Sequence, residues 1–230
     1  MRLDKFISHA SGIPRDSAKR AIRKKEVLVN GEIIRSAAHK VSADDIVHWN
    51  SQLLALSGPR YIMLHKPQGY ICATEDGQHP TVLDLLAENP NGLSIAGRLD
   101  IDTTGLVLIT DDGQWLHRVI SPKHKCKKTY IATLEQAVSQ DTIEQFAKGI
   151  LLKGEDKITA PAQLTALTDT QVEVVLSEGR YHQVKRMFAA CGNHVLELHR
   201  NQIGTITLDE TLEEGEYRAL TATEVASIFS

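Results

Sequence analysis

Residues 106–110, Leu-Val-Leu-Ile-Thr, show no polar alternation. A continuous apolar run of this length, with Gly105 before it and Asp111-Asp112-Gly113 after it, reads as a strand made for the interior. Immediately upstream stands GRLDIDTTG (97–105), and upstream of that a second apolar stretch, Leu93 to Ala96. The fold must therefore carry two carboxylates, Asp100 and Asp102, into an apolar neighbourhood. The rest of the chain has to supply a core around that strand and a reason for the pair.

Periodicity predicts the other elements. Leu3, Phe6, Ile7 and Ala10 recur at helical spacing, and Gly12 and Pro14 punctuate the start of a second helix running to about Lys25. VLVNGEII reads as two short strands around an Asn30-Gly31 turn, and IVHW (46–49) as a further strand. SQLLALSGPR (51–60) has the composition of a linker, with Ser57-Gly58-Pro59 as its breaker. Beyond it, strands are expected at YIMLH, LVLIT, KKTYIATL, ITAPAQLTAL, TQVEVVLS, HVLELHR and TITL. Helices are expected at DDGQWLHRVIS, DTIEQFAKG, YHQVKRMFAAC and LTATEVASIF. Strands and helices do not alternate one for one, so the body is α+β with a mixed, mostly antiparallel sheet. Two domains are expected, 1–58 and 59–230.

Charge divides the chain the same way. Residues 1–58 carry a net +4 and residues 59–230 a net −7, which together make the overall −3. A basic module on a mildly acidic body points to a polyanionic partner. Its second helix aligns Arg15, Lys19 and Arg23 at i, i+4, i+8, with Arg20 and Lys24 beside them. Nothing resembles a signal peptide or a run of about 20 apolar residues, so a cytoplasmic protein is expected. Cys72, Cys126 and Cys191 are odd in number, widely spaced and free of any CxxC, as suits reduced thiols.

The residues alone leave the acidic pair open to three readings. It can cap a turn through the backbone N–H groups that follow. It can match a DxDxT phosphohydrolase signature, with Mg²⁺ between the carboxylates. It can work without metal, its charge supported by cations from SPKHKCKKTY (121–130) or SEGRYHQVKRMF (177–188). Both clusters interleave basic residues with tyrosine, the composition for phosphate contact and base stacking. A non-catalytic RNA-binding or ribosome-assembly protein is the alternative function.

The stretches RLDKFI, PRDSAKRAIRKKEVLVNGEII and VSADDIV resemble the S4 RNA-binding domain. GRLDIDTTGLVLITDDG, KKTYIATL and EGRYHQVKRMF follow in that order, extended by KPQGYICA (66–73) and LHRNQIGTITL (198–208). With the S4-like module they resemble the RsuA-type rRNA pseudouridine synthases over the whole chain. The resemblance implies a uridine-to-pseudouridine isomerase acting on 16S small-subunit rRNA or its precursor particle. It implies no metal, nucleotide or other cofactor, no membrane, and a monomer. It makes Asp100 the catalytic carboxylate, Tyr130 the ring that stacks on the uracil, and Lys185 the cation paired with Asp100. Leu198 would belong to the apolar wall and Arg98 to the catalytic support. RNA contacts are expected from Lys5, Arg15, Lys19, Arg20, Arg23, Lys24 and Asn30 in the first module. In the second they are expected from Lys123, Lys125, Arg180 and Arg186.

Overall fold

The computed structural model describes residues 1–42, 44–55, 58–87 and 89–229. The chain forms two compact units, Met1–Pro59 with Ala87–Leu93, and Arg60–Leu86 with Ser94–Ser230. Ala87–Leu93, expected in the second domain, thus groups with the first unit.

In the first unit, helices α1 (Leu3–Ser11) and α2 (Arg15–Arg23) turn Leu3, Phe6, Ile7, Ala18, Ala21 and Ile22 inward. They cover a sheet of β1 (Val27–Val29), β2 (Glu32–Ile33), β3 (Val47–Trp49) and β4 (Gln52–Leu54), in the order β2-β1-β3-β4. All its pairings are antiparallel. Asn30 and Gly31 both have positive φ, 53° and 84°, the backbone a two-residue primed turn requires. β4 corrects the expected linker. Asn50 and Ser51, at φ 49° and 65°, make a second two-residue turn that pairs Trp49 with Gln52 and buries Leu54. With serine instead of glycine at its second position, that turn lacks the usual sequence mark. Leu56 and Ser57 of the expected linker lie outside the described residues.

The second unit is built on a mixed sheet with strand order β13-β5-β7-β11-β8-β10-β9, with β6 added on β7 and β12 on β11. These are β5 (Tyr61–Lys66), β6 (Ser94–Ala96), β7 (Thr104–Thr110), β8 (Lys128–Leu134), β9 (Gln163–Ala166), β10 (Gln171–Leu176), β11 (Val195–Ile203), β12 (Ile206–Thr207) and β13 (Tyr217–Ala219). Among the strands of the described residues, β7 and β11 run parallel and the other pairs are antiparallel. β7 contains the unbroken apolar run of residues 106–110, and Leu106 to Ile109 are fully buried in it. Helices α3 (Gly113–Ile120), α4 (Gln140–Lys148), α5 (Gln183–Ala190) and α6 (Ala222–Ser227) complete the unit. Trp115 and Val119 of α3 pack with β7, while Phe146 of α4 and Phe188 of α5 meet at 4.7 Å in a second cluster around β8 and β10.

Two features of this sheet bear on the site. Gly105 (φ 107°) faces Arg200 in the parallel register, where an added Cβ would sit 2.3 Å from the Arg200 carbonyl oxygen. Only glycine lets β11 come that close. Cross-strand pairing also sets Tyr130 opposite both Arg200 and Val174, Ala132 opposite Leu198, and Lys128 opposite Leu176. Those side chains share one face of the sheet, because residues two apart on a strand point the same way. No helix among the described residues is long and apolar enough to cross a membrane. Cys72, Cys126 and Cys191 are free thiols.

Candidate active site

The shared sheet face is the floor of a cavity of about 780 Å³. Lys128, Tyr130, Leu176, Leu198 and Arg200 line it from the strands, Arg98 to Ile101 from the loop between β6 and β7, and Gly179 to Val184 from the turn into α5. Asp100, Tyr130, Leu198 and Arg98 therefore meet in one cavity although up to a hundred residues separate them.

The acidic loop is held from beneath by two buried cations. The Arg200 guanidinium donates through Nε to the Leu106 carbonyl (2.9 Å) and through its terminal nitrogens to the carbonyls of Gly97 (2.8 Å) and Arg98 (3.4 Å). Lys66, at the end of β5, donates to the carbonyls of Pro67 (2.9 Å), Thr103 (2.7 Å) and Ile101 (3.4 Å). Burial pushes the Lys66 ammonium below its usual range; nearby Cys72, Asp102 and Asp100 oppose that shift. Buried charges are costly unless bonded, and these two spend their donors on the main chain on both sides of Asp100. The loop closes on itself when the Thr103 amide donates to the Asp100 carbonyl (3.1 Å). Neither cation was singled out from the sequence. Arg200 lies two residues from Leu198, in phase with a core-facing position, and that phase was the available signal.

The two aspartates have different neighbours. Asp100, whose side chain keeps 28% of its surface, has Oδ1 3.3 Å from His182 Nε2. Asp102, at 62%, accepts a 2.5 Å hydrogen bond from Lys185 Nζ, which holds its carboxyl below the usual carboxylate range. This corrects the expected Lys185–Asp100 pair: Lys185, in the first turn of α5, reaches the outer carboxylate, and the inner one faces the residue that precedes the helix. His182 occupies that position in the left-handed region (φ 47°), and its ring stacks on Tyr181 at 3.8 Å. Gln183 fixes the turn, accepting from the Arg180 amide (2.8 Å) and donating to Glu178 (2.8 Å). Tyr181 is 75% exposed beside this cavity.

Arg180 and Arg186 also depart from expectation. Both bind Glu155, at 2.5 and 2.6 Å, and Arg180 adds the carbonyls of Lys157 and Ile158, while Arg186 adds those of Lys153 and Tyr181. Arg180 and then Arg186 keep the Glu155 carboxyl below its ordinary value. Their guanidinium groups clamp the 153–158 segment to the start of α5 instead of standing free for phosphate. The lysine run divides as well. Lys123, Lys125 and Lys127 are exposed, whereas Lys128 turns inward to the carbonyls of Val119 (3.2 Å) and Cys126 (2.6 Å).

In the first unit, Arg20, Arg23 and Lys24 are exposed along α2. Arg15 is also engaged with the fully buried Asp4 (3.3 Å), and Lys19 with Asp16 (2.9 Å). Asn30 serves its own turn, donating to Asp45 (2.8 Å) and accepting from the Ile46 amide (2.9 Å). Ser42 and Asn30 together bring the Asp45 carboxyl down to about 2. Asn30 is thus a structural tie between the β1–β2 turn and the segment that leads into β3, where an RNA contact was expected.

Known proteins resemble this chain in sequence and fold. Residues 60–190 match the family model described as RNA pseudouridylate synthase, and residues 1–47 match the S4 domain. The chain is 58% identical to the Escherichia coli K12 protein called ribosomal small subunit pseudouridine synthase A, over 99% of this chain and 100% of that one. It is 55% identical to the protein of the same name from Vibrio cholerae, over the full length of both. A crystal structure titled pseudouridylate synthase superposes with a TM-score of 0.72 at 50% identity, covering 99% of each chain. Sequence and fold agree: the chain belongs to the RNA pseudouridylate synthase family and carries an S4 domain ahead of its catalytic domain.

Proposed function

We propose that this protein isomerises one uridine of 16S small-subunit rRNA to pseudouridine, with Asp100 as the catalytic carboxylate. The observation that carries the reading is the position of Asp100 on the wall of a cavity floored by Tyr130 and Leu198. Its support is the small-subunit specificity printed in the names of relatives that match from end to end.

The reaction breaks the bond from uracil N1 to ribose C1′, turns the base and rejoins it through C5. Asp100 acts at the sugar, either as nucleophile at C1′ or as base at C2′. The uridine reaches it only after leaving the RNA stack, at a cost of a few kcal/mol. Stacking on Tyr130, worth about 1–3 kcal/mol, offsets that cost, and Leu198 packs against the base. Arg98, exposed on the acidic loop with no side-chain partner among the described residues, and Lys123 and Lys125 meet the phosphates around the flipped nucleotide. Residues 1–58 grip a second part of the RNA through Lys5, Arg15, Lys19, Arg20, Arg23 and Lys24, raising affinity by tethering. The enzyme works as a cytoplasmic monomer and takes free 16S rRNA or a small-subunit precursor particle as substrate.

Mapping pseudouridines in 16S rRNA from cells with and without the gene tests this reading. Loss of one site on deletion is expected, restored by the wild-type gene. An unchanged map rejects the proposed substrate.

A further inference from the structure

The cavity holds more positive charge than the acidic loop explains. Lys128 and Arg200 are cross-strand neighbours of Leu176 and Tyr130 on the same sheet face, and both line the cavity. No carboxylate lies within ion-pair distance of either among the described residues. The Arg200 guanidinium stands 5.9 Å from the centre of the Tyr130 ring. Lys128 uses two of its three N–H donors on the carbonyls of Val119 and Cys126. Burial, with the Arg200 charge adding to it, pushes the Lys128 ammonium below its usual range. Two like charges beside one aromatic platform, with neutral partners only, cost folding energy. Such an arrangement suits a site where negative charge develops later.

We propose that Lys128, backed by Arg200, is a catalytic residue that carries the negative charge of the detached uracil. The inference rests on the proposed uridine isomerisation at this cavity. Bound uridine has a neutral base. When the N1–C1′ bond breaks, its electron pair stays with the ring and spreads over N1, O2 and O4. The third N–H of Lys128 meets that charge while Asp100 acts at the sugar. The pair is used again when C5 bonds to C1′; the C5 proton then leaves and N1 takes one up, so the product is an isomer of the substrate. A neutral base gains little from the ammonium and an anionic one much. Groups of this kind accelerate a step because they bind its transition state better than its ground state.

Leaving-group dependence separates this role from structural support or a phosphate contact. Lys128→Gln keeps donors for the Val119 and Cys126 carbonyls and removes the charge. Single-turnover loss of the N1-linked nucleoside, the step common to both, is measured on RNA carrying uridine and on the same RNA carrying 5-fluorouridine. The fluorinated ring is the better leaving group and, with fluorine in place of the C5 proton, stops at the C5-linked adduct. Lys128→Gln should slow uridine about 10²-fold and 5-fluorouridine at least tenfold less, and Lys128→Arg should recover most of the uridine rate. Any loss of folded protein lowers both rates alike and cancels in their ratio. Equal losses on the two substrates, or a change confined to RNA affinity, would overturn the proposal. Failure of the wild-type enzyme on both RNAs would instead reject the underlying function.

Discussion

Replacing Gly105 by alanine probes how tightly the acidic loop is tied to the sheet. The new Cβ would meet Arg200 main chain at 2.3 Å from its oxygen, 2.7 Å from its nitrogen and 2.9 Å from its carbonyl carbon, at φ 107°. Placing a side chain in that backbone region costs about 1–3 kcal/mol. Neither strand can yield freely, because Leu106 to Ile109 on β7 are fully buried and Arg200 is locked to three carbonyls. Overpacking against such a wall adds about 1–3 kcal/mol, so the expected loss is about 2–6 kcal/mol out of a total near 5–15. Urea unfolding followed by the buried Trp115, in a Trp49→Phe background so that one tryptophan reports, reads the second unit alone. The midpoint should fall by about 1 M or more, and uridine turnover should fall with it, since Arg200 also holds Gly97 and Arg98. A midpoint within about 0.3 M of the parent, at unchanged slope, would refute the claim that β11 presses on Gly105.

Asp102→Asn should leave turnover within about tenfold of wild type, because its exposed pair with Lys185 is of a kind worth about 0–1 kcal/mol; a steady-state assay showing complete loss would contradict the division of labour between the aspartates. Arg218 holds the Glu224 carboxyl at about 2, below its ordinary 4.5. The stabilisation of α6 is therefore complete above about pH 4.5 and is lost as pH falls toward 2. Trp115 donates to the Val225 carbonyl of α6 (3.0 Å), so its fluorescence should change across that window, and Glu224→Gln should already be shifted at neutral pH. Identical profiles for the two proteins would reject the coupling. Charge reversal at Arg20, Arg23 and Lys24 should weaken RNA binding and flatten its salt dependence while kcat at saturating RNA holds; unchanged affinity would remove α2 from the RNA interface.

What could be read beforehand was whatever repeats locally. The helical spacing of Leu3, Phe6 and Ile7, the Asn30-Gly31 turn and the unbroken Leu106–Ile109 run each announce their element within a few residues. The β3–β4 turn was missed because Asn50-Ser51 reaches positive φ without a glycine, and β13 because three residues carry too little pattern. Asp100, Tyr130 and Leu198, named through ordered motifs, come together in one cavity. The roles of the basic residues were not legible. Arg180 and Arg186 find Glu155 25 and 31 residues away, and Lys185 takes Asp102 over Asp100 because of where the α5 turn begins. Lys66, Lys128 and Arg200 look like surface residues by type; the phase with Leu198 hints at Arg200, and the fold shows all three turned inward. Charge is visible in a sequence; its partner is a tertiary fact.

The role of Asp100 is tested most directly by tritium release from RNA labelled at uracil C5, comparing wild type with Asp100→Asn, alongside the affinity of each for the RNA. Stoichiometric release is expected from the wild type and none above background from the variant, with dissociation constants that agree within about threefold. Release by Asp100→Asn at a rate within tenfold of wild type would contradict the assignment of this carboxylate to the chemistry.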